Sequence, residues 1–224
     1  MKKRQMLTFV LAASLLSLTV LTLDMPLART IEWQTEIQLT TNPKNDRSPS
    51  IMQADNGTIW VVWSSDRMGF GNDELYYKTS SNYGATWSSE SRLTYAAGYD
   101  EGPSIMQASN GTIWVVWASS RTGNYELFHK TFNGASWSSD IQFTDELHQD
   151  MRPSIMQSSD GLIWVVWYSD RTGNYDLFYK TYDGSAWSSE TRLTDNPSAD
   201  KCPSIAQASN GTIWVVWESY RTGN

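Results

Sequence analysis

Residues 153–167, with the sequence PSIMQSSDGLIWVVW, decide the fold, because the chain contains this stretch four times in nearly the same form. The other copies are PSIMQADNGTIWVVW at residues 49–63, PSIMQASNGTIWVVW at 103–117 and PSIAQASNGTIWVVW at 203–217. A repeat of about fifty residues is the signature of a chain that stacks copies of one supersecondary unit. We therefore expect four related units, numbered 1 to 4 along the chain.

Turn residues divide each unit into four short strands, A to D. In unit 1 the predicted strands cover residues 50–54, 59–65, 74–79 and 87–93. Strand B begins with IWVVW at residues 59–63 and is apolar on both of its alternating faces, so both faces need a covering layer. No helical periodicity separates the strands, so the cover must come from neighbouring units. The pattern predicts an all-β fold, a β-propeller of four-stranded antiparallel blades with repeats of about 50 residues.

The repeat also sets the expected domain boundaries. Residues 1–28 are predicted to be a signal peptide and residues 29–224 the propeller repeats, with a D strand at 33–40, blades at 46–94, 100–144 and 150–194, and a partial blade at 200–224. Because strand C of the last blade is missing, we expect the propeller to be incomplete in this chain. Closing it would take further blades or another subunit.

The first residues have the character of an export signal. A cationic start at residues 2–4 precedes an apolar run at 6–23, and the small Ala28 ends a cleavage site. This pattern predicts a secreted, extracytoplasmic protein. An uncleaved segment that anchors the chain in a membrane stays open as the alternative, because the apolar run is long and Pro26 is unfavourable so close to the cut.

Composition narrows the classes of function. The net charge is −7 and the isoelectric point about 4.8, so nucleic acid is not an expected partner. Twelve Trp against one Cys and two His predict a core of packed indoles, without disulfides or a metal centre. Asp66, Asn72 and Asp73 carry the oxygen ligands that calcium takes, but they fix no ligand count, so no cofactor is predicted.

The turn between strands C and D carries a second motif. It reads SSNYGATW at residues 80–87, and shorter versions follow as TFNGASW at 131–137 and TYDGSAW at 181–187. These segments resemble the Asp-box (BNR) repeat of bacterial neuraminidases, Ser-x-Asp-x-Gly-x-Thr-Trp. The resemblance covers residues 33–224 and implies a sialidase-like β-propeller in which the box is structural. The residues that would shape the turn or pack beneath the blade are Asn82, Asn133, Asp183, Trp87, Trp137 and Trp187.

Strand direction assigns the connections to two faces. The D-to-A and B-to-C loops share one, here called the loop face, while the A-to-B and C-to-D turns share the other, the turn face. The segments that differ most between units, 95–102, 145–152 and 195–202, lie on the loop face, and variable loops on a rigid scaffold carry binding specificity. We predict a ligand site there. Its candidate residues are Arg67, Arg121, Arg171, Arg221, Glu101, Glu146, His148 and Arg152.

Two interpretations of the four arginines are open. The resemblance implies that the arginines clamp a carboxylate of the substrate through paired, planar hydrogen bonds. The hairpin register implies a repeated salt bridge instead, because a two-residue type I′ loop at Asn56-Gly57 places Asp46 opposite Arg67. Asp100, Asp150 and Asp200 face their arginines in the same way. We favour the structural interpretation, with each exposed pair contributing about 0.2 to 1 kcal/mol.

Catalysis would require more than arginines. A sialidase also uses a tyrosine nucleophile with a supporting glutamate and a separate acid/base carboxylate. Tyr95, Glu101, Asp145, Glu146 and His148 are specific to single units and could serve, but they are better explained as solvated loop residues. The catalytic residues are therefore unknown, and the enzyme interpretation, an exo-α-sialidase-like glycoside hydrolase, is the less favoured one.

The sequence predicts a secreted, non-catalytic β-propeller that binds a glycan or an extracellular protein through its loop face. The first alternative is a fragment of an exo-sialidase-like glycoside hydrolase, whose remaining blades would supply the catalytic groups. The second is a structural surface-layer or adhesive array.

Overall fold

The computed structural model describes residues 35–69 and 71–221. The predicted signal peptide and the first two residues of the predicted strand 33–40 lie outside the described residues. The chain divides into two compact parts after Ile37, and every strand among the described residues belongs to the second part, Gln38–Asn224. In the described part of the chain, no helix is long and apolar enough to cross a membrane.

The part from Gln38 onward consists of antiparallel sheets in which neighbouring strands follow one another in chain order, as the repeat predicted. Units 1 to 3 form four-stranded sheets, and unit 4 contributes a two-stranded sheet. The strands are β1 Asp46–Gln53, β2 Ile59–Ser65, β3 Glu74–Ser80 and β4 Ser91–Arg92 in unit 1; β5 Asp100–Gln107, β6 Ile113–Ser119, β7 Glu126–Phe132 and β8 Ile141–Gln142 in unit 2; β9 Asp150–Gln157, β10 Ile163–Ser169, β11 Asp176–Tyr182 and β12 Thr191–Arg192 in unit 3; and β13 Asp200–Gln207 and β14 Ile213–Ser219 in unit 4.

Burial on both faces of the second strand, which its sequence demanded, is present in units 1 to 3. Trp117 and Trp167 are completely buried, as are Val62, Val115 and Val165. Aromatic rings join neighbouring units, because Trp137 of unit 2 meets Trp60 of unit 1 with ring centroids 6.0 Å apart. The contact of unit 3 with unit 2 has the same geometry. The sheets therefore stack face to face as the blades of a propeller.

The stacked blades do not close into a ring within the described residues. In unit 4, Trp214 is 61% exposed and Val216 is 60% exposed, although the same positions are buried in unit 2. At the other end of the stack, Ile51 of β1 is 66% exposed. The described part of the chain is thus an incomplete propeller, as expected.

Polar contacts between units explain why PSIMQ recurs. The Gln107 Oε1 accepts a hydrogen bond from the backbone N–H of Asp55 at 2.7 Å, and Gln157 and Gln207 repeat the contact with the turn of the preceding unit. The Oγ of Ser50 accepts from the backbone N–H of Ile105 at 3.3 Å, and Ser104 and Ser154 do likewise. Each repeated residue therefore holds the next blade in register.

The predicted type I′ turn at Asn56-Gly57 is wrong. The Gly57 N–H donates to the Ala54 carbonyl and the Ala54 N–H to the Thr58 carbonyl, both at 2.8 Å, which makes a three-residue loop. In this turn Gly57 alone has a positive φ, 83°, as expected of a type I turn followed by a one-residue bulge. Gln53 consequently pairs with Ile59, one position away from the predicted register.

Strand D is shorter than residues 87–93, because a side chain interrupts its ladder. The Ser88 Oγ accepts from the backbone N–H of Thr79 at 3.0 Å, and only Ser91–Arg92 pair regularly with β3. Residues 38–40 form no strand, but Lys78 Nζ donates to the Leu39 carbonyl at 2.7 Å. Lys130 makes the same bond to Leu93, so residue 39 occupies the position that strand D holds in later units.

Candidate ligand-binding surface

Each first strand carries a β-bulge near the loop face. In β1 the register shifts between Arg47 and Ser50, so two residues oppose one, and Ser48 adopts a φ of 50°. The equivalent residues Gly102, Arg152 and Cys202 also have positive φ, at 61°, 51° and 50°. Bulges of this kind redirect side chains and are common beside binding sites.

The four bulges meet at one place. Together with the prolines that follow them, they line a cavity of 230 Å³ to which every unit contributes. Its lining is Ser48, Pro49, Gly102, Pro103, Arg152, Pro153, Cys202 and Pro203. The first strands therefore gather around a common axis, and the bulges place side chains on it.

Apart from the four prolines, the residues at and next to this cavity are ones that the repeat does not preserve. The bulge position holds Ser, Gly, Arg and Cys in the four units, and the position before it holds Arg47, Glu101, Met151 and Lys201. Flanking positions, such as the following Pro-Ser-Ile, hardly change. We call the eight variable residues the axial cluster. Beside four identical prolines, a repeated scaffold thus presents residues that differ from unit to unit.

Arg152 crosses the axis. Its Nη1 donates to the Ser48 Oγ at 2.8 Å, so unit 3 contacts unit 1. Gly102 lies beneath it, and a Cβ at that position would come within 3.3 Å of the Arg152 Cδ. The glycine therefore leaves room for the arginine, which remains exposed as an available cation.

Tyrosines surround the axial cluster. The Tyr168 ring packs edge-on against Tyr175 with centroids 5.3 Å apart, and Lys201 Nζ lies 4.0 Å from the Tyr175 ring centroid. Burial raises the pKa of Tyr125 and of Tyr168 to about 12, and the nearby negative charge of Glu101 adds to both shifts. The surface combines cations, a carboxylate and neutral phenols.

The four predicted clamp arginines bind carboxylates of their own units. Arg121 is typical: Nη2 contacts Asp100 at 2.9 Å, Nη1 contacts Asp140 at 2.7 Å, Nε donates to Ser119, and the guanidinium lies over Phe128. Arg67 and Arg171 have the same arrangement, with Glu90 and Glu190 as their outer acids, and Arg221 contacts Asp200 at 2.6 Å. The guanidinium groups of Arg67, Arg121 and Arg171 are thus each held by two carboxylates, whereas that of Arg221 contacts Asp200 alone and is 40% exposed.

The prediction that these pairs are exposed is wrong. The side chains of Asp150 and Asp200 are completely buried, and that of Asp100 is 1% exposed. The directly opposed register is also wrong, because Asp46 pairs with Ser65 and Arg67 reaches back from the following turn. The extra loop residue at the A-to-B turn and the bulge change the register between them, and the long arginine side chain spans the difference.

The remaining predicted loop residues lie away from the axis. Glu146 Oε1 is 3.8 Å from Arg171, and His148 Nδ1 is 3.6 Å from Asp170. The sequence analysis missed the residue that shapes this loop, Asn124, whose Nδ2 donates to the carbonyls of residues 146 and 148 at 2.8 and 2.6 Å. Asn174 makes the same contacts in unit 3, so the recurring Asn after Thr-Gly was the available signal.

Buried acids at the start of the third strand were also missed. The Glu126 carboxylate accepts hydrogen bonds from the Thr144 hydroxyl at 2.6 Å and from Asn124 at 2.7 Å, and burial raises its pKa. Glu74 and Asp176 hold the same position with Arg92 and Arg192 as added partners. These acids fix strands C and D and do not reach the axis surface.

The C-to-D turns lie on the turn face. The Asn82 Oδ1 accepts from the Thr86 N–H, Asn133 from residues 135 and 136, and Asp183 from residues 185 and 186. Those backbone bonds lower the pKa of Asp183 to about 2. The tryptophans that end these turns, Trp87, Trp137 and Trp187, pack against the core. All six residues serve the scaffold.

No group of three or more His, Cys, Asp or Glu side chains with metal-binding geometry occurs among residues 35–69 and 71–221. Asp66 contacts Asn45, and Asp73 contacts Arg47 at 2.5 Å, so these two acids have protein partners.

Solved structures resemble this fold. A protein of unknown function from Dyadobacter fermentans matches with a TM-score of 0.67 and 13% identity over 80% of this chain and 64% of its own. A Hadza microbial sialidase matches with a TM-score of 0.67 and 13% identity over 79% of this chain and 42% of its own. The GH93 α-L-arabinofuranosidase of Fusarium graminearum, solved with arabinobiose, matches with a TM-score of 0.65 and 16% identity over 78% and 56%.

The chain thus spans about two fifths to two thirds of the length of these structures. No protein-family model and no curated protein sequence matches the chain. At these identities the likeness concerns architecture, and it agrees with the stacked antiparallel sheets described above. The chain therefore has the β-propeller fold that a sialidase and an arabinofuranosidase also adopt.

Proposed function

We propose that this protein is a secreted, non-catalytic β-propeller that binds a glycan at the axial cluster of its loop face. The observation that carries the proposal is that conserved and variable positions of the repeat have different roles in the structure. Residues that repeat form the scaffold and pair with one another, whereas the residues at the axis differ from unit to unit.

The chemistry of the axial cluster suits a carbohydrate. Arg152 and Lys201 supply donors for hydroxyl or carboxylate oxygens, Glu101 supplies an acceptor, and Tyr175 supplies a flat ring with a polar tip. Such mixed surfaces bind ligands that have both apolar faces and many hydroxyl groups. The fold neighbours named as a sialidase and an arabinofuranosidase make carbohydrate the ligand class to test first.

Two observations favour binding without hydrolysis. Three of the four arginines that a sialidase would use, Arg67, Arg121 and Arg171, are each held by two carboxylates of their own unit, which engages the guanidinium groups within the scaffold. The pKa of Tyr125 and of Tyr168 is raised to about 12, whereas a tyrosine nucleophile needs a pKa lowered toward the working pH. These groups therefore favour recognition over bond cleavage.

A glycan array and calorimetry on the purified protein test the proposal. Arg152→Ala should weaken binding about tenfold or more, because the lost guanidinium leaves ligand oxygens unpaired. Asp183→Asn on the turn face is the control, because units 1 and 2 already hold Asn at that position. Binding of a protein, with no glycan bound at all, would overturn the ligand class.

A glycoside hydrolase remains the second candidate, because two of the fold neighbours are named as glycosidases. A fluorogenic sialoside and a fluorogenic arabinofuranoside separate the two functions. Product release that Arg152→Ala abolishes would establish the hydrolase and refute the non-catalytic function.

A further inference from the structure

A cavity of about 570 Å³ lies between units 2 and 3 on the turn face, opposite the axial cluster. Its volume is within the range of small-molecule sites, about 300 to 1,000 Å³. The floor and walls are aromatic and aliphatic, and the mouth carries uncharged polar residues. The side chains used below are Trp114, His129, Tyr182 and Trp187 inside the cavity and Asn110, Thr112 and Thr131 at its mouth.

Four rings that pack against one another form the inner wall of the cavity. The Trp114 ring centroid lies 5.2 Å from His129, 5.7 Å from Tyr182 and 6.0 Å from Trp187. The Trp187 plane stands nearly perpendicular to Trp114, at 84°. The rings come from both units, so the cavity exists only where the two blades meet.

Comparison of the repeats shows what is special about this contact. The position of His129 holds Tyr77 in unit 1 and Tyr179 in unit 3, so unit 2 has the smaller ring. In unit 3 the indole N–H of Trp164 donates to the Ser158 Oγ at 3.0 Å, but units 1, 2 and 4 have Ala at that position, so Trp114 of unit 2 has no such acceptor. The smaller ring of His129 therefore distinguishes unit 2, and it lies beside an indole N–H that has no hydroxyl acceptor at residue 108.

The ligand that fits this cavity is uncharged. No Asp, Glu, Lys or Arg lines it, and burial lowers the pKa of His129 to about 4, so that ring is neutral at physiological pH. His129 is 6% exposed, and its Nδ1 has no hydrogen-bond partner among the described residues. A charged group placed here would lose its hydration without gaining an opposite charge.

We propose that this cavity binds a neutral sugar ring, as a second site separate from the axial cluster. The apolar C–H face of the ring packs on the indoles, and its hydroxyl groups accept from the Trp114 N–H and exchange hydrogen bonds with the Thr112 and Thr131 hydroxyls at the mouth. A purely apolar ligand would leave those polar groups unpaired.

The two histidines of the chain provide a direct measurement, because they lie on opposite faces. Protein labelled at the histidine side chains gives one NMR signal from His129 in the cavity and one from His148 on the loop face. The probes are glucose, galactose, arabinose and arabinobiose, with glucuronic acid and sialic acid as charged comparisons. We expect a neutral sugar to shift the His129 signal while the acidic sugars leave it unchanged.

His129→Tyr tests the cavity without removing the fold, because two other units accept Tyr at the same position. The larger ring should fill part of the cavity and weaken sugar binding about tenfold or more, measured by calorimetry. Trp114→Phe removes the indole donor together with part of the ring surface and should also weaken binding. His148→Tyr makes the same chemical change on the other face and should leave the affinity of the cavity unaltered.

The outcomes are distinct. A His129 signal that no neutral sugar shifts, or sugar binding that survives in a folded His129→Tyr protein, would overturn the proposed cavity site. A shift caused equally by acidic sugars would overturn its selectivity. Loss of glycan binding on Arg152→Ala concerns the axial cluster, so the two proposals fail separately.

Discussion

Replacing Asp150 with Asn should destabilise the fold strongly, although the two side chains have nearly the same size and shape. The Asp150 carboxylate is completely buried and accepts two hydrogen bonds from Arg171 Nη2, at 2.7 and 2.8 Å, and one from Trp167 Nε1 at 3.0 Å. Breaking a buried ion pair by changing one partner costs about 3 to 5 kcal/mol. Asn keeps the volume and one acceptor, so we expect about 3 kcal/mol, the lower end of that range.

A thermal melt and a urea titration measure this cost. For a domain of this size about 3 kcal/mol corresponds to a decrease in Tm of about 6 to 12 °C. Asp195→Asn, at an exposed loop position, is the matched control and should leave the Tm nearly unchanged. Asp46→Asn should cost less, because that side chain is 13% exposed and its contact with Arg67 is 3.1 Å long.

One result would refute the structural interpretation of the Asp150–Arg171 pair. If Asp150→Asn melts like the unaltered protein but loses its ligand, the Asp150–Arg171 pair belongs to a binding site and the structural interpretation of all four arginines is wrong. A double variant with Arg171→Met separates the pair energy from the cost of a stranded charge. The double variant should be less destabilised than the sum of the two single changes.

Three further predictions follow from other parts of the molecule. Burial lowers the pKa of His129 from 6.5 to about 4, so between these pH values the unfolded chain binds a proton that the folded chain does not. The free energy of unfolding should therefore decrease by up to about 3 kcal/mol as the pH falls through that window. In urea titrations, the His129→Tyr protein should not show this decrease. The raised pKa of Glu126 has the opposite effect on stability, and it is present in both proteins. Gly102→Ala should lower the free energy of unfolding by about 1 to 3 kcal/mol, because the residue has a φ of 61° and the new Cβ would lie 3.3 Å from Arg152 Cδ. An unchanged midpoint in a urea titration would argue against the bulge geometry. Asp183→Asn should leave the Tm nearly unchanged, since Asn82 and Asn133 make the same turn bonds, and a large loss would show that the charge itself is needed.

The repeat made the architecture predictable from the sequence. The IWVVW stretch is apolar on both sides, which requires a layer on each face, and the PSIMQ stretch recurs because Ser50 and Gln107 make the same contacts at every boundary. These features depend on local periodicity, which a sequence displays directly. The contact of Asp46 with Arg67 was predicted from a directly opposed register that is wrong, and it forms because the long arginine side chain reaches back to the acid.

The axial cluster could not be predicted in the same way. It depends on a bulge before Pro49 in which Ser48 takes a positive φ, whereas a residue before proline ordinarily prefers extended backbone. Arg152 was selected as a loop residue, but its position across the axis from Ser48 follows from the stacking angle of the blades. The cavity beside His129 arises from contacts between units, which a single repeat does not reveal.

The most direct test of the account measures binding and hydrolysis in one sample. The purified protein is incubated with sialylated and arabinose-containing oligosaccharides, bound ligand is quantified by calorimetry, and the recovered sugars are analysed for cleavage. The comparison uses the His129→Tyr protein with and without Arg152→Ala, so that the turn-face cavity does not contribute to binding. We predict that an oligosaccharide binds the His129→Tyr protein, is recovered intact, and loses its affinity when Arg152→Ala is added. Cleaved sugar, or binding that Arg152→Ala leaves unchanged in that background, would contradict the proposal that the axial cluster is a recognition site.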